Sequence, residues 1–178
     1  MNSSHALFPF STPPSPFSLS VDCCLKNGEL TLQFVLTGDI TSLNLPSPCE
    51  RPTRIEGLYR HTCMEVFLKR GKKYLEWNFS FSGDWCVFLF DDYRSKCHTK
   101  LPLDSHLFTI NHISHSSGGA TLKVSIPMKK LDFLGTKPTE LGVSAILEHP
   151  KGILSYWALE HAEDKPDFHH PKSFKVKL

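Results

Sequence analysis

Three polar side chains stand out by type and spacing: Glu65, Glu76 and Asn78. Carboxylates and carboxamides are planar, and each can hold two hydroxyls at once. Two carboxylates roughly 5–9 Å apart also meet the geometric requirement of glycoside hydrolysis. All three residues lie in segments of two-residue alternation, the pattern of a strand whose two faces see different surroundings. Between 59 and 69 the even positions Met64, Val66 and Leu68 are apolar, while the odd positions carry Tyr59, His61, Cys63, Glu65 and Phe67. Between 74 and 82 the odd positions Leu75, Trp77, Phe79 and Phe81 are apolar, and the even ones carry Tyr74, Glu76, Asn78, Ser80 and Ser82. A two-residue turn at Gly71-Lys72 sets Glu65 opposite Asn78 and Glu76 opposite Phe67. The two polar faces then coincide.

A strand over 141–148 extends the pattern, with Ser144, Ile146 and Glu148 on its second face, so Glu148 is a candidate third carboxylate. Candidate stacking platforms are Tyr59, Trp85, Tyr156 and Trp157. Tyr156 and Trp157 are adjacent, so one ring faces in and the other out. Arg94 is a candidate ligand contact or an ion-pair partner for one glutamate, and His161 completes the candidate set. A merely solvated face would carry more Thr, Lys and Ser. Glutamates sharing a face with Tyr59, Cys63, Phe67 and Tyr74 suit a concave ligand site. The alternative is a polar network that only stabilises a structural or interaction domain.

The elements that must position these residues are strands. Leu19 to Leu25 alternate, Asn27-Gly28 makes a hairpin turn, and Leu30, Leu32, Phe34 and Leu36 mark the return strand. Residues 40–58 read as a Pro-rich loop. Further strands fall near Trp85–Phe90, 106–115, 120–126, 153–159 and 174–178, with one or two helical turns at Met128–Leu134. Nine or ten short strands predict an all-β antiparallel sandwich, jelly-roll or immunoglobulin-like. Residues 1–16, with prolines at 9, 13, 14 and 16, read as an extended lead-in, and 17–178 as one domain.

Composition agrees. Thirteen Phe, thirteen Pro and five Ala among 178 residues disfavour a helical bundle. Twenty basic against eighteen acidic residues, a net charge of +2, makes no case for nucleic acid. No apolar run reaches the roughly 18 residues of a membrane helix. The N-terminus lacks the basic and apolar regions of a signal peptide, so a cytoplasmic protein with reduced thiols is expected.

Several stretches resemble a known family. Tyr59 to Leu68 (YRHTCMEVFL), Tyr74 to Trp85 (YLEWNFSFSGDW) and Phe90 to Arg94 (FDDYR) are similar to the bacterial DOMON-like family, a relative of the family 9 carbohydrate-binding modules. Ser155 to His161 (SYWALEH) and Lys165 to His169 (KPDFH) are similar to its C-terminal signature. The resemblance spans about two-thirds of the chain. It implies a β-sandwich with a ligand site on or beside one sheet, in a superfamily that binds sugars or haem without catalysis by this domain. It also implies that His161, Asp167 and His169 pin a C-terminal loop against the sheet. The sequence departs from the family at Tyr59 and Arg60, where Trp and Gln are expected, at Met64 for Phe, and at Phe81 for Pro.

Other chemistries have weaker support. Haem would need Met or His ligands from Met64, Met128, His61, His161 or His169, and no specific pair stands out. A metal could use two of His161, His169 and His170 with Asp167, Glu160, Glu163 or Asp164. Catalysis would rest on Glu65 and Glu76, or on Cys63 with a distant His. No GxSxG, HExxH, P-loop or dinucleotide motif accompanies them. The expected function is non-catalytic binding of a small ligand, most plausibly a saccharide, at Tyr59, Glu65, Glu76, Asn78, Trp85, Arg94, Glu148, Tyr156, Trp157 and His161, with no cofactor required.

Overall fold

The computed structural model describes residues 1–10, 15–97, 105–134 and 137–178. Alternation decides most of its strands. β1 (Asn2–Pro9), β2 (Ser18–Lys26) and β3 (Glu29–Thr37) form an antiparallel run. Asn27 and Gly28 take left-handed φ values of 52° and 77°, as the tight β2–β3 hairpin requires. β9 (Gly119–Pro127) pairs with β3 and carries β8 (Thr109–Ser116) on its outer edge. These five strands make the first sheet, in the order β1-β2-β3-β9-β8.

The second sheet contains β4 (Cys63–Arg70), β5 (Lys73–Phe79), β6 (Trp85–Asp92), β7 (Ser95–Lys96), β10 (Glu140–His149) and β11 (Ile153–Ala158). Its order is β7-β6-β5-β4-β10-β11, and the short β12 (Val176–Lys177) pairs with the start of β10. The segment expected as a lead-in is β1 itself over Asn2–Pro9. It pairs with β2 for most of its length, then sets Phe8 and Pro9 against Ala158 and Trp157 of β11. Its extended, polar-apolar alternation lets it join the two sheets.

The protein is an antiparallel β-sandwich. Leu19, Val21, Leu32, Phe34, Leu122 and Val124 of the first sheet bury against Met64, Val66, Trp77, Phe79, Val143 and Leu147 of the second. Burial of this kind is worth about 1.5–3 kcal/mol per large apolar side chain. Met128–Leu134 forms 3-10 turns.

Candidate functional site

The outer face of the second sheet holds a second, smaller cluster that includes Leu58, Phe67, Tyr74, Phe90, Phe168 and Phe174. This face is not solvated. The 3-10 turn Leu58–Arg60 covers one part, and the C-terminal segment through Phe168 and Phe174 covers another. Between these covers lies a cavity of about 400 Å³.

Glu65 and Glu76 line the cavity from adjacent strands. The hairpin sets Glu65 opposite Asn78 and Phe67 opposite Glu76, the register that the Gly71-Lys72 turn implied. Both carboxylates are buried, at 3% and 6% exposure. Ser144 on β10 donates to Glu65 Oε2 at 2.8 Å. The Cys63 thiol lies 3.9 Å from Glu65 Oε1 and 3.8 Å from Asn78 Oδ1. Asn78, fully buried, donates to Glu76 Oε1 at 2.7 Å. Glu76 Oε2 receives no hydrogen bond from the described residues; His169 Nε2, at 3.7 Å, is too distant.

Burial and the neighbouring Glu76 push the Glu65 carboxyl up to about 8. Burial also raises Glu76, against the opposing Asn78 hydrogen bond. At neutral pH Glu65 is therefore largely the neutral acid, which can both donate and accept a hydrogen bond. Desolvation likewise lifts the Cys63 thiol well above its ordinary value, so it is an unreactive thiol.

The walls are apolar rings and side chains. Phe88 lies across from Glu76 on β6, and Ile146 and Tyr156 face each other on β10 and β11. Pro166 and Phe168 close the cavity from the C-terminal segment. His169 sits in an aromatic box, 5.1 to 5.7 Å from the rings of Phe67, Tyr74 and Phe90. Burial lowers its imidazole to about 4, so it is neutral at pH 7. Arg94 N–H donates to the Tyr74 oxygen at 3.1 Å, and Tyr74 O–H is placed to donate to His169 Nδ1 at 2.8 Å. With Tyr74 as the donor, the imidazole proton is on Nε2, on the side of Glu76.

The rim carries Tyr59, Arg94 and Lys96. Arg94 Nη2 pairs with Asp167 Oδ1 at 2.7 Å, and Tyr93 O–H donates to Asp167 Oδ2 at 2.6 Å. Burial works against the Asp167 charge, yet the Tyr93 and Arg94 hydrogen bonds hold its carboxyl below the ordinary range. Arg94 thus pairs with an aspartate on the covering segment and not with a glutamate.

Half of the expected set converges here: Tyr59, Glu65, Glu76, Arg94 and Tyr156 line the cavity, with Asn78 supporting Glu76 from behind. Tyr59 arrives from a turn and not from the expected strand. Gly57, at φ 91°, opens that turn, and Arg60 N–H closes it on the Gly57 carbonyl. Trp85 pairs with Phe79 and Trp157 with Ala145, so both indoles face the core. Of the adjacent pair, Tyr156 is the outward ring. Glu148 shares the face but lies at its other end, where His61 and Asn44 hydrogen bonds hold its carboxyl low. It lines a separate, more open cleft of about 470 Å³ with Asp84 and Ser82. His161 reaches instead to the Phe8 carbonyl, 2.8 Å away.

Phe88, Phe90, Lys96, Ile146, Pro166, Phe168 and His169 complete the lining and were absent from the expected set. Carrying the hairpin register one strand further, to β6, would have placed Phe88 and Phe90. Met64 and Met128, the methionines among the haem-ligand candidates, are core residues. Among the described residues no three His, Cys, Asp or Glu gather as for a metal.

No family model matches this chain, and no curated protein does either. Solved structures do. A proposed carbohydrate-binding protein from Bacteroides uniformis superposes with a TM-score of 0.66 at 12% identity, over 97% of this chain and 84% of the other. A family 9 carbohydrate-binding module from Caldicellulosiruptor kristjanssonii, in complex with cellotriose, superposes with a TM-score of 0.53 at 10% identity, over 88% and 72%. The fold is shared with family 9 modules. At these identities the likeness concerns the sandwich alone.

Proposed function

We propose that the chain is a non-catalytic carbohydrate-binding module, DOMON-like and of bacterial kind, whose site is the cavity over Glu65 and Glu76. Glu76 Oε2 carries the reading: it belongs to a buried residue that lines the cavity, and no described residue hydrogen-bonds to it. A sugar hydroxyl satisfies it. Beside it, neutral Glu65 offers a second polar contact. Tyr156, Phe88 and Phe168 supply apolar faces for the C–H surface of a pyranose. The volume falls within the range of small-ligand sites. The carbohydrate-binding neighbours of the same fold lend support.

A purely structural role for this network conflicts with its energetics. Two neighbouring buried carboxyls with raised proton affinity lower stability at neutral pH, whereas apolar replacements would not. Hydrolysis conflicts with its geometry. Both carboxyls rise from one floor, while a glycosidase flanks the scissile bond with its pair. We also place the protein in a reducing compartment such as the cytoplasm, in keeping with Cys23, Cys24, Cys49, Cys63 and Cys86, which form no disulfide. Thiol titration of denatured protein from its native host would then count six.

Isothermal titration with neutral mono- and oligosaccharides, beginning with glucose and cellotriose, tests the function. At least one sugar is expected to bind, and Glu76→Gln is expected to weaken it by up to about tenfold, the value of one hydrogen bond. Silence across the panel from folded protein would overturn the proposal.

A further inference from the structure

The rim of the cavity carries more positive charge than the floor binds directly. Lys96 and Arg94 act on Glu76 only through space, Glu76 is hydrogen-bonded by Asn78, and Arg94 is engaged by Asp167. Lys96 has no ion-pair partner among the described residues. Its ammonium stands 3.8 Å from the centroid of Phe88, which is itself a wall of the cavity. A cation on a ring face is held in place yet keeps its hydrogen-bond donors free. Arg94 lines the same rim with half of its side chain exposed. Its position is fixed from three sides: Asp167 on the guanidinium, the Tyr74 oxygen on its backbone N–H, and a left-handed φ of 53°. Two cations therefore flank the entrance to a site whose interior presents carboxyls to hydroxyls.

We infer that the saccharide carries an anionic group, a carboxylate or a sulfate or phosphate ester, which sits between Lys96 and Arg94 while its hydroxyls reach Glu65 and Glu76. The inference rests on the carbohydrate reading and narrows it to acidic sugars. An anion at the rim completes the ion pairing of Lys96. It also keeps its distance from the buried carboxyls, which would repel an anion seated on the floor.

Matched titrations on the full chain test it. One arm compares galacturonate oligosaccharides with their neutral galactose counterparts. The other compares glucose 6-phosphate and glucose 6-sulfate with glucose. The acidic member of at least one arm is expected to bind about tenfold more tightly at low ionic strength, and the responding arm identifies the anion. That preference should shrink in high salt. Lys96→Gln should reduce acidic-sugar affinity at least fivefold, with an unchanged melting temperature as the control for folding. Neutral sugars binding as tightly as their acidic partners would overturn the inference and leave the carbohydrate reading standing. No binding in either arm by folded protein would overturn both. Undiminished acidic-sugar affinity in Lys96→Gln would remove Lys96 from the anion site and overturn the assignment.

Discussion

Glu65→Gln is expected to raise the unfolding free energy at pH 8 by on the order of 3 kcal/mol, and to weaken ligand binding. Glu65 keeps its proton to about pH 8 in the fold, against 4.5 as the ordinary value. Between those values the folded chain holds more protons than the unfolded chain. Its contribution to stability therefore falls as pH rises through this window, and it is constant above and below. His169 acts in the opposite direction: its proton affinity drops from 6.5 to about 4, so stability falls as pH drops through that range. The two slopes oppose each other between about pH 4.5 and 6.5, while the raised Glu76 adds to the Glu65 slope. The wild type should therefore lose stability as pH rises from 6.5 to 8, by roughly 2 kcal/mol from Glu65. Urea denaturation across pH, on wild type and variant, checks this. In the variant the loss above pH 6.5 should shrink by that amount. A variant less stable than wild type at pH 8 would show that the carboxyl is a stabilising part of the sheet.

Asp167→Ala is expected to cost about 3 kcal/mol and to abolish ligand binding. One buried carboxylate receives Tyr93 O–H at 2.6 Å, Arg94 Nη2 at 2.7 Å and the backbone N–H of His169 at 3.1 Å. Hydrogen bonds to a charged group are each worth roughly 1.5–3 kcal/mol, and the three share one anchor, so the sum is less than additive. Arg94 is half exposed and can be rehydrated, which limits the cost. The effect on binding is larger. Asp167 ties the segment bearing Pro166, Phe168 and His169 to the β6–β7 turn, and those residues form one wall of the cavity. Thermal unfolding and titration on the same preparation separate the two effects. Retained affinity in a destabilised variant would show that the covering segment has no part in the site.

The fold and half of the lining of the candidate site were legible because strand alternation and one tight turn are local properties. The register at Gly71-Lys72 follows from the turn alone and brings Glu65 and Glu76 to one face. The Tyr156-Trp157 pair obeyed alternation too. What failed was reach. Trp85 and Trp157 were drawn toward a ligand by residue type, whereas their partners Phe79 and Ala145 turn both inward. Glu148 has the right parity but sits too far along its strand, a distance that parity does not encode. Lys96 enters through a register shift in β6–β7 pairing between Phe90 and Asp92, which breaks any counting rule. Phe168 and His169 come from a segment without periodicity. Only the family resemblance, which set His169 in a pinning loop, gave a hint of their place, and contacts distant in sequence fix it: Tyr74 with His169, and Tyr93 and Arg94 with Asp167.

Chemical-shift mapping of the isotope-labelled full chain during saccharide titration tests the central claim most directly. The largest changes are expected at Glu76, Phe88, Arg94, Phe168 and His169, which surround the cavity. Changes confined to His61, Asn44 and Glu148 would move the site to the neighbouring cleft. No change up to the solubility limit of the sugars would contradict the carbohydrate assignment itself.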